Sequence, residues 1–400
     1  DVLDFKRAAW VDKTKHLARI LGDRKVPKYI LATAMRRIGK TMTIKQLAAM
    51  ARGKRDLFEG YAVNEEDSPF QIGAKQFSVI QLDFSGSSTQ SFLSYCLGWS
   101  WFTINDVSSF LLQKIVHAAK RQHEIDLSQA GSPDDALVQW IIALKKKEAI
   151  EGVPRPIVLL IDEYDAPVTA FLPDNPDMAE SACKALNPFF TAIKQRGQDF
   201  HKVFVTGVTR FSLSSGANMF VDIIQRDPEF STLFGMTEQE IRHTYSDFIE
   251  DKYGDLDEHI AKLKRRYNGY RVHPDQKEED LIFNTYSVVN TLVFGKFKSY
   301  WAGTGGNSST IIRMLGLHGM DILRGYSISE SKLFAYASAG KWSTKWMQAA
   351  FQTGYLTIGK STPFGKYSDA TLDMHVPNNE VRDFLESGMT EYIVGLVNGT

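Results

Sequence analysis

Several kinds of chemistry lack their materials in this sequence. Two cysteines stand in 400 residues, Cys96 and Cys183, with no Cys-x-x-Cys spacing. That excludes a cysteine zinc site and a disulfide framework, and it fits a reducing compartment. The nine histidines occur singly, away from metal-ligand spacing, so zinc chemistry is not expected. Charge of one sign is missing as well. The 47 Lys and Arg balance 47 Asp and Glu, which removes the global pointer to nucleic acid without speaking to a local patch. No apolar run approaches the ~20 residues that span a bilayer, so no membrane partner is expected. Internal repeats and low-complexity tracts are absent too. With no signal peptide in view, the expected location is intracellular and cytoplasmic. The chain begins at Asp1 rather than Met, which leaves room for a preceding segment.

What is present is length and alternation. A chain of 400 residues is long for one core, so two or three packed units are expected. Tyr29–Thr33, Phe77–Asp83, Pro156–Ile161 and Lys202–Thr206 read as strands. Lys40–Ala51, Asp106–Arg121, Asp134–Lys147 and Ala179–Gln195 read as helices. Strands separated by helices predict a parallel sheet flanked by helices, an α/β unit over 1–235. Runs apolar on both faces suit its central strands. Beyond residue 235 the texture is helical. Thr237-Glu-Gln-Glu240 has the form of a capping box opening a helix through Ile249. Leu256–Tyr267 and Thr285–Val293 read as helices, and Asn268–Asp280 as a turn or hairpin tip. A mostly helical unit, lid-like or winged-helix-like, is expected over 236–350. A small α+β segment is expected over 351–400, with strands at Gln352–Ile358 and Thr371–Val376 and a helix at Glu380–Val397. The chain stops at Thr400 without a breaker or tail, which suggests a piece of a larger protein.

Three motifs carry chemistry. Ala34-Met-Arg-Arg-Ile-Gly-Lys-Thr41 lies between a strand and a helix. Phosphate binding needs backbone N–H groups aimed inward, a helix N-terminus, a lysine for the terminal phosphates and a hydroxyl for Mg²⁺. Gly39, Lys40 and Thr41 supply the end of that pattern, while Ala34 stands where the usual first glycine would be. Arg36 and Arg37 flank the loop as candidates for contact with phosphate or with a neighbouring subunit, or equally for pairing with local acids. Ile157-Val-Leu-Leu-Ile-Asp-Glu163 ends an apolar strand in two carboxylates, where ligands bind in open α/β sheets. Asp162 is the candidate for the Mg²⁺ shell and Glu163 for polarising the attacking water. In Val203-Phe-Val-Thr-Gly-Val-Thr-Arg210, Thr206 is placed to sense the γ-phosphate and Arg210 to neutralise developing charge. A plainer reading makes Arg210 a surface charge. Asp83, at the end of a strand, could stand behind the site as a supporting acid, but it reads better as part of a helix N-cap region with Ser85, Ser87 and Ser88. Trp99, Trp101, Trp140, Trp301, Trp342 and Trp346 read as core or interface. The basic run Lys262-Leu-Lys-Arg-Arg266 reads as a solvated helix face.

These motifs and several others occur together in a known order. Trp10-Val-Asp-Lys-Thr14, Arg36–Thr43, Gly53–Gly60, Val79–Ser85, Leu160–Pro167, Val205–Ser212, Tyr267-Asn-Gly-Tyr-Arg271 and Tyr300-Trp301 resemble the AAA-ATPase-like family over nearly the whole chain. The resemblance implies a P-loop NTPase fold of the ASCE or AAA-like class, with ATP and Mg²⁺ as cofactors. Members resemble STAND-like and archaeal-type ATPases and often continue into a PD-(D/E)XK nuclease-like domain. On that basis 351–400 is expected to begin a truncated nuclease-like region. The family loop reads Arg-Pro-Arg-Arg-Phe-Gly-Lys-Ser. Here Ala34 and Met35 replace Arg-Pro and Ile38 replaces Phe, so the missing first glycine is a property shared with the family.

The expected function is a nucleotide-driven switch or motor that binds and hydrolyses ATP. The alternatives are a nucleotide-binding scaffold without turnover, and the ATPase portion of a nucleic-acid-processing protein. A protein partner or a homo-oligomer is compatible with each.

Overall fold

Four largely apolar runs and one two-residue strand form the first sheet of the protein. They are β1 (Tyr29–Thr33), β2 (Ser78–Asp83), β3 (Ile157–Asp162), β4 (Phe200–Gly207) and the two-residue β5 (Val221–Asp222). The computed structural model describes residues 10–86, 104–172, 175–211, 219–302, 312, 325–336, 345–362 and 369–398. All five strands are parallel, in the order β2-β3-β4-β1-β5. Every residue of β3 is buried, the pattern of a strand covered on both faces. The helices that cover the sheet are α1 (Thr14–Gly22), α2 (Lys40–Ala51), α3 (Ile104–His123), α4 (Pro133–Glu151) and α5 (Pro176–Gln195). α3, α4 and α5 pack mutually, and α2 lies on β3 with α1 against it.

Local sequence sets the helix ends. Ser132 accepts from the Asp135 amide, Pro133 takes the first turn of α4, and Gly152 closes it in the left-handed region. The expected capping box is present: Thr237 and Glu240 exchange both bonds at the start of α6 (Glu238–Tyr253). Glu240 also receives the Lys13 ammonium at 2.6 Å, and Lys13 reaches the Thr232 carbonyl at 2.7 Å. The Trp10-Val-Asp-Lys-Thr14 segment therefore ties the first unit to the helical one. α7 (Leu256–Tyr267) and α8 (Thr285–Phe294) complete that unit. Its core is a separate cluster around Ile241, Ile249, Leu263, Phe283 and Val288.

The C-terminal part includes β6 (Tyr326–Ser329), α9 (Trp346–Thr353), β7 (Thr357–Thr362), β8 (Thr371–His375) and α10 (Asn379–Asn398). The three strands form an antiparallel sheet, β6-β8-β7. β6 thus pairs across position 350, where the sequence suggested a boundary. Leu333, Ala349, Tyr355, Leu372 and Leu385 share one core cluster with β1, β3 and β4. The C-terminal elements accordingly pack on the first unit. Two groups fasten these elements to the helical unit as well. Arg271 donates its amide to Thr357 Oγ1 at 2.7 Å. Glu380 accepts from the Trp301 amide at 3.0 Å and from Ser287 Oγ at 2.8 Å.

Gln352–Ile358 alternates like a strand, yet its first half ends α9. Gly354 explains the difference: it stops the helix with φ 87°. A Cβ there would lie 2.6 Å from Met35 Sδ and 3.1 Å from the Trp301 ring. Gly354→Ala is expected to destabilise the fold by about 2–4 kcal/mol, from left-handed strain and overpacking. Urea unfolding checks this, and a midpoint unchanged from the parent would contradict it.

Trp140 and Trp301 are buried as expected; Trp99, Trp101, Trp342, Ser87 and Ser88 lie outside the described residues. Of the basic run, Lys262 pairs with Glu258, Lys264 with Glu238 and Arg266 with Asp383. Those three charges are already matched. Among the described residues no helix is long and apolar enough to cross a membrane.

Candidate nucleotide site

The strand order brings the motifs together. β4 lies between β1 and β3, with Ala32 opposite Thr206 and Ile161 opposite Val205. The loop after β1, the carboxylates after β3 and the polar end of β4 therefore meet at the C-terminal edge of the sheet.

The loop 34–39 leads into α2. Gly39 precedes the helix with φ 110°, and a Cβ there would touch nothing within 4 Å. Backbone conformation, rather than crowding, is what calls for glycine. Arg37 is also left-handed, with φ 63°. The first amides of α2 have no intrahelical carbonyl to bond, so this end of the helix suits an anion. Lys40 is 4% exposed. Its Nζ donates to the carbonyls of Ala34 at 3.1 Å and Met35 at 3.0 Å, and lies 3.9 Å from Glu163 Oε1. Thr41 is exposed on the first turn, Arg36 is half-buried and Arg37 is exposed over the Tyr286 ring at 4.9 Å.

Asp162 is 3% exposed. Its Oδ1 accepts from Thr206 Oγ1 at 2.7 Å and from the Glu163 amide at 3.1 Å. Thr206 is fully buried, so its hydroxyl orients this carboxylate. Glu163 has φ 50°, a left-handed turn that carries its side chain out of the strand direction. Burial holds its carboxyl above the ordinary 4.5. Lys40 opposes that shift, while Asp165 and Asp162 add to it. A carboxylate tuned upward beside an ammonium is suited to taking a proton.

Arg210 lies elsewhere than at the carboxylates. It is 3% exposed, with Nε 2.6 Å from Asp222 Oδ2 on β5 and 2.9 Å from Thr33 Oγ1 on β1. The plainer reading, a surface charge, is thus replaced by a buried ion pair. Its amide donates to Gln352 Oε1 at 3.2 Å, joining the end of β4 to α9. Asp222→Asn would leave the guanidinium buried without its counter-charge. The expected cost is about 3 kcal/mol, readable as a lowered urea midpoint; an unchanged midpoint would refute the pair's importance.

Sequence reasoning passed over Tyr164 and Asp165. Asp165 is 1% exposed and accepts from the amides of Val208 at 3.1 Å and Thr209 at 2.7 Å. Tyr164 donates to the Thr209 carbonyl at 2.8 Å. Together they pin the loop after β4 to the turn after β3. The signal was the Asp-Glu-Tyr-Asp run itself, whose last two members have no role unless they meet another strand. Asp83 lies at the end of β2 opposite Asp162. It accepts from the Ser85 amide at 2.8 Å, and the helix N-cap region expected here falls on residues outside the described ones.

The family described as Predicted AAA-ATPase matches residues 3–216 of this chain. The chain belongs to that family. The match spans the loop, both carboxylates, Thr206 and Arg210, so these residues lie within the ATPase-like portion of this family member. One relative is an uncharacterized protein in the vnfD 5' region of Azotobacter chroococcum mcd 1. It is 23% identical over 383 residues, covering 95% of this chain and 66% of the relative.

The donor set also bears on the metal. Thr41 and Asp162 offer a hydroxyl and a carboxylate. Among the described residues there is no cluster of three or more His, Cys, Asp or Glu able to hold an ion. Two hard oxygen donors suit Mg²⁺ that arrives with phosphate oxygens and water completing its shell.

Proposed function

We propose that this AAA-ATPase-like protein binds ATP with Mg²⁺ and hydrolyses it, using the cycle as a switch on its helical unit. The observation that carries the reading is the insertion of β4 between β1 and β3. It sets the Thr206 hydroxyl on Asp162 at 2.7 Å, next to Glu163, whose carboxylate lies 3.9 Å from the buried Lys40 ammonium.

In this reading the amides of the loop and Lys40 bind the β- and γ-phosphates, and Arg36 and Arg37 add charge at the rim. Thr41 and Asp162 hold Mg²⁺, which offsets charge on the phosphate oxygens. Glu163 takes the proton of the water whose oxygen attacks the γ-phosphorus, as the bond to the ADP oxygen breaks. Thr206 links the γ-phosphate position to Asp162. Arg210 acts by positioning, through Thr33 and Asp222, rather than on the phosphate.

Mg²⁺-dependent ATP hydrolysis and ATP binding by the purified chain test the proposal together. Turnover with binding supports it. Binding without turnover supports a scaffold instead, and absence of binding refutes both.

A further inference from the structure

The phosphate loop is gripped from outside by the start of α8. The Arg36 carbonyl accepts from Asn284 Nδ2 at 3.3 Å, and the Arg37 carbonyl from the Tyr286 amide at 3.3 Å. The Ile38 carbonyl accepts from the Gly235 amide at 2.9 Å and from Thr285 Oγ1 at 3.2 Å. Three successive carbonyls thus face the helical unit.

A planar trans peptide sets the carbonyl of one residue antiparallel to the N–H of the next. Turning the carbonyls of 36, 37 and 38 toward the helical unit turns the N–H groups of Arg37, Ile38 and Gly39 away from it. Left-handed residues at 37 and 39 fit a backbone nest, in which successive N–H groups converge on an anion.

We infer that Asn284, with Thr285 and Tyr286, is the positioning element that holds this loop in its anion-binding shape. The affinity for ATP then depends on docking of the helical unit, and bound ATP strengthens that docking in return. The inference rests on the nucleotide reading above, and it names the contact through which the switch would act.

Asn284 is suited to the task because both ends of its amide are used. Its Oδ1 caps α8, accepting from the Tyr286 amide at 3.1 Å and the Ser287 amide at 3.3 Å. Its Nδ2 takes the loop carbonyl, and the residue is fully buried. Aspartate would keep the cap but present an acceptor to the Arg36 carbonyl. Thr285→Val is the milder variant. It removes one hydroxyl donor from the Ile38 carbonyl at nearly constant shape and adds no charge.

The experiment compares the parent chain, Asn284→Asp and Thr285→Val. Amide hydrogen exchange of a peptide covering 35–41 is measured without nucleotide, and the Kd and KM for ATP are measured beside it. Faster exchange confined to the loop is expected in both variants. ATP binding should weaken about tenfold in Asn284→Asp and about threefold in Thr285→Val, with KM rising and kcat holding. Loop exchange equal to the parent in Thr285→Val, and in Asn284→Asp where it folds, would overturn the inference. So would loosened loops that bind ATP as tightly as the parent. Faster loop exchange in a protein whose parent form binds no ATP would support the grip and refute the nucleotide reading instead.

Discussion

Glu163→Gln is expected to leave ATP bound and to stop its hydrolysis. Glutamine keeps the size and one acceptor oxygen but cannot take a proton at this position. General-base catalysis contributes about 10²–10⁴-fold, so kcat should fall by that range while Kd stays near the parent value. The parent's pH profile carries a second signature. In its proposed role Glu163 acts only when ionised, and burial holds its carboxyl above the ordinary 4.5. Activity should therefore rise with pH through a limb that lies above the usual glutamate range. It should be lost as pH falls through that same limb. The variant's residual rate should lack it. A Glu163→Gln protein that turns over at the parent rate, or retains the limb, would remove Glu163 from the mechanism.

Lys40→Ala is expected to abolish measurable ATP binding. The ammonium is 4% exposed at the mouth of α2 and is held by the carbonyls of Ala34 and Met35. Those same contacts aim it across the loop. Charge-assisted hydrogen bonds are worth roughly twice neutral ones. At about 1.5–3 kcal/mol each, losing two phosphate contacts weakens binding by about 10²–10⁴-fold. Calorimetric titration with ATP reads this directly, and affinity within a few-fold of the parent would sink the assignment. Lys40 also lowers the Glu163 pKa, so its removal should push that carboxyl further up. The two variants differ in a useful way, because one separates binding from turnover and the other removes both.

Between them these substitutions test the site, whereas Asn284→Asp and Thr285→Val test its connection to the rest of the molecule. The helical unit has its own core around Ile241, Leu263 and Phe283. It is also tied to the rest of the chain through Lys13 on Glu240, Arg271 on Thr357 and Ser287 on Glu380. The loop carbonyls of 36, 37 and 38 are among the points at which the two units touch near the proposed phosphate site.

The sequence by itself determined four of the five strands of the first unit, β1 to β4, and the helices α2 to α5, while α1 and β5 are not read from it. β1 and α2 occupy Tyr29–Thr33 and Lys40–Ala51 as read, and the Thr237–Glu240 capping box opens α6. These features are written in short-range signals: apolar runs, caps, and a glycine whose φ of 110° permits the turn. The order of Lys40, Asp162, Glu163 and Thr206 along the chain was equally legible. Only the tertiary structure decided what depends on distant partners. Arg210 reads as a loop charge until the two-residue β5 brings Asp222 within 2.6 Å. Gln352–Ile358 reads as a strand until Gly354 closes α9 against Met35. Asn284 stands just before the helix read from Thr285 and draws no reading of its own, yet its side chain reaches a residue 248 positions away. A cap or an apolar run is satisfied by neighbours a few residues off, so periodicity reveals it. A buried donor is satisfied by whichever carbonyl the folded chain presents, and no local pattern encodes that choice.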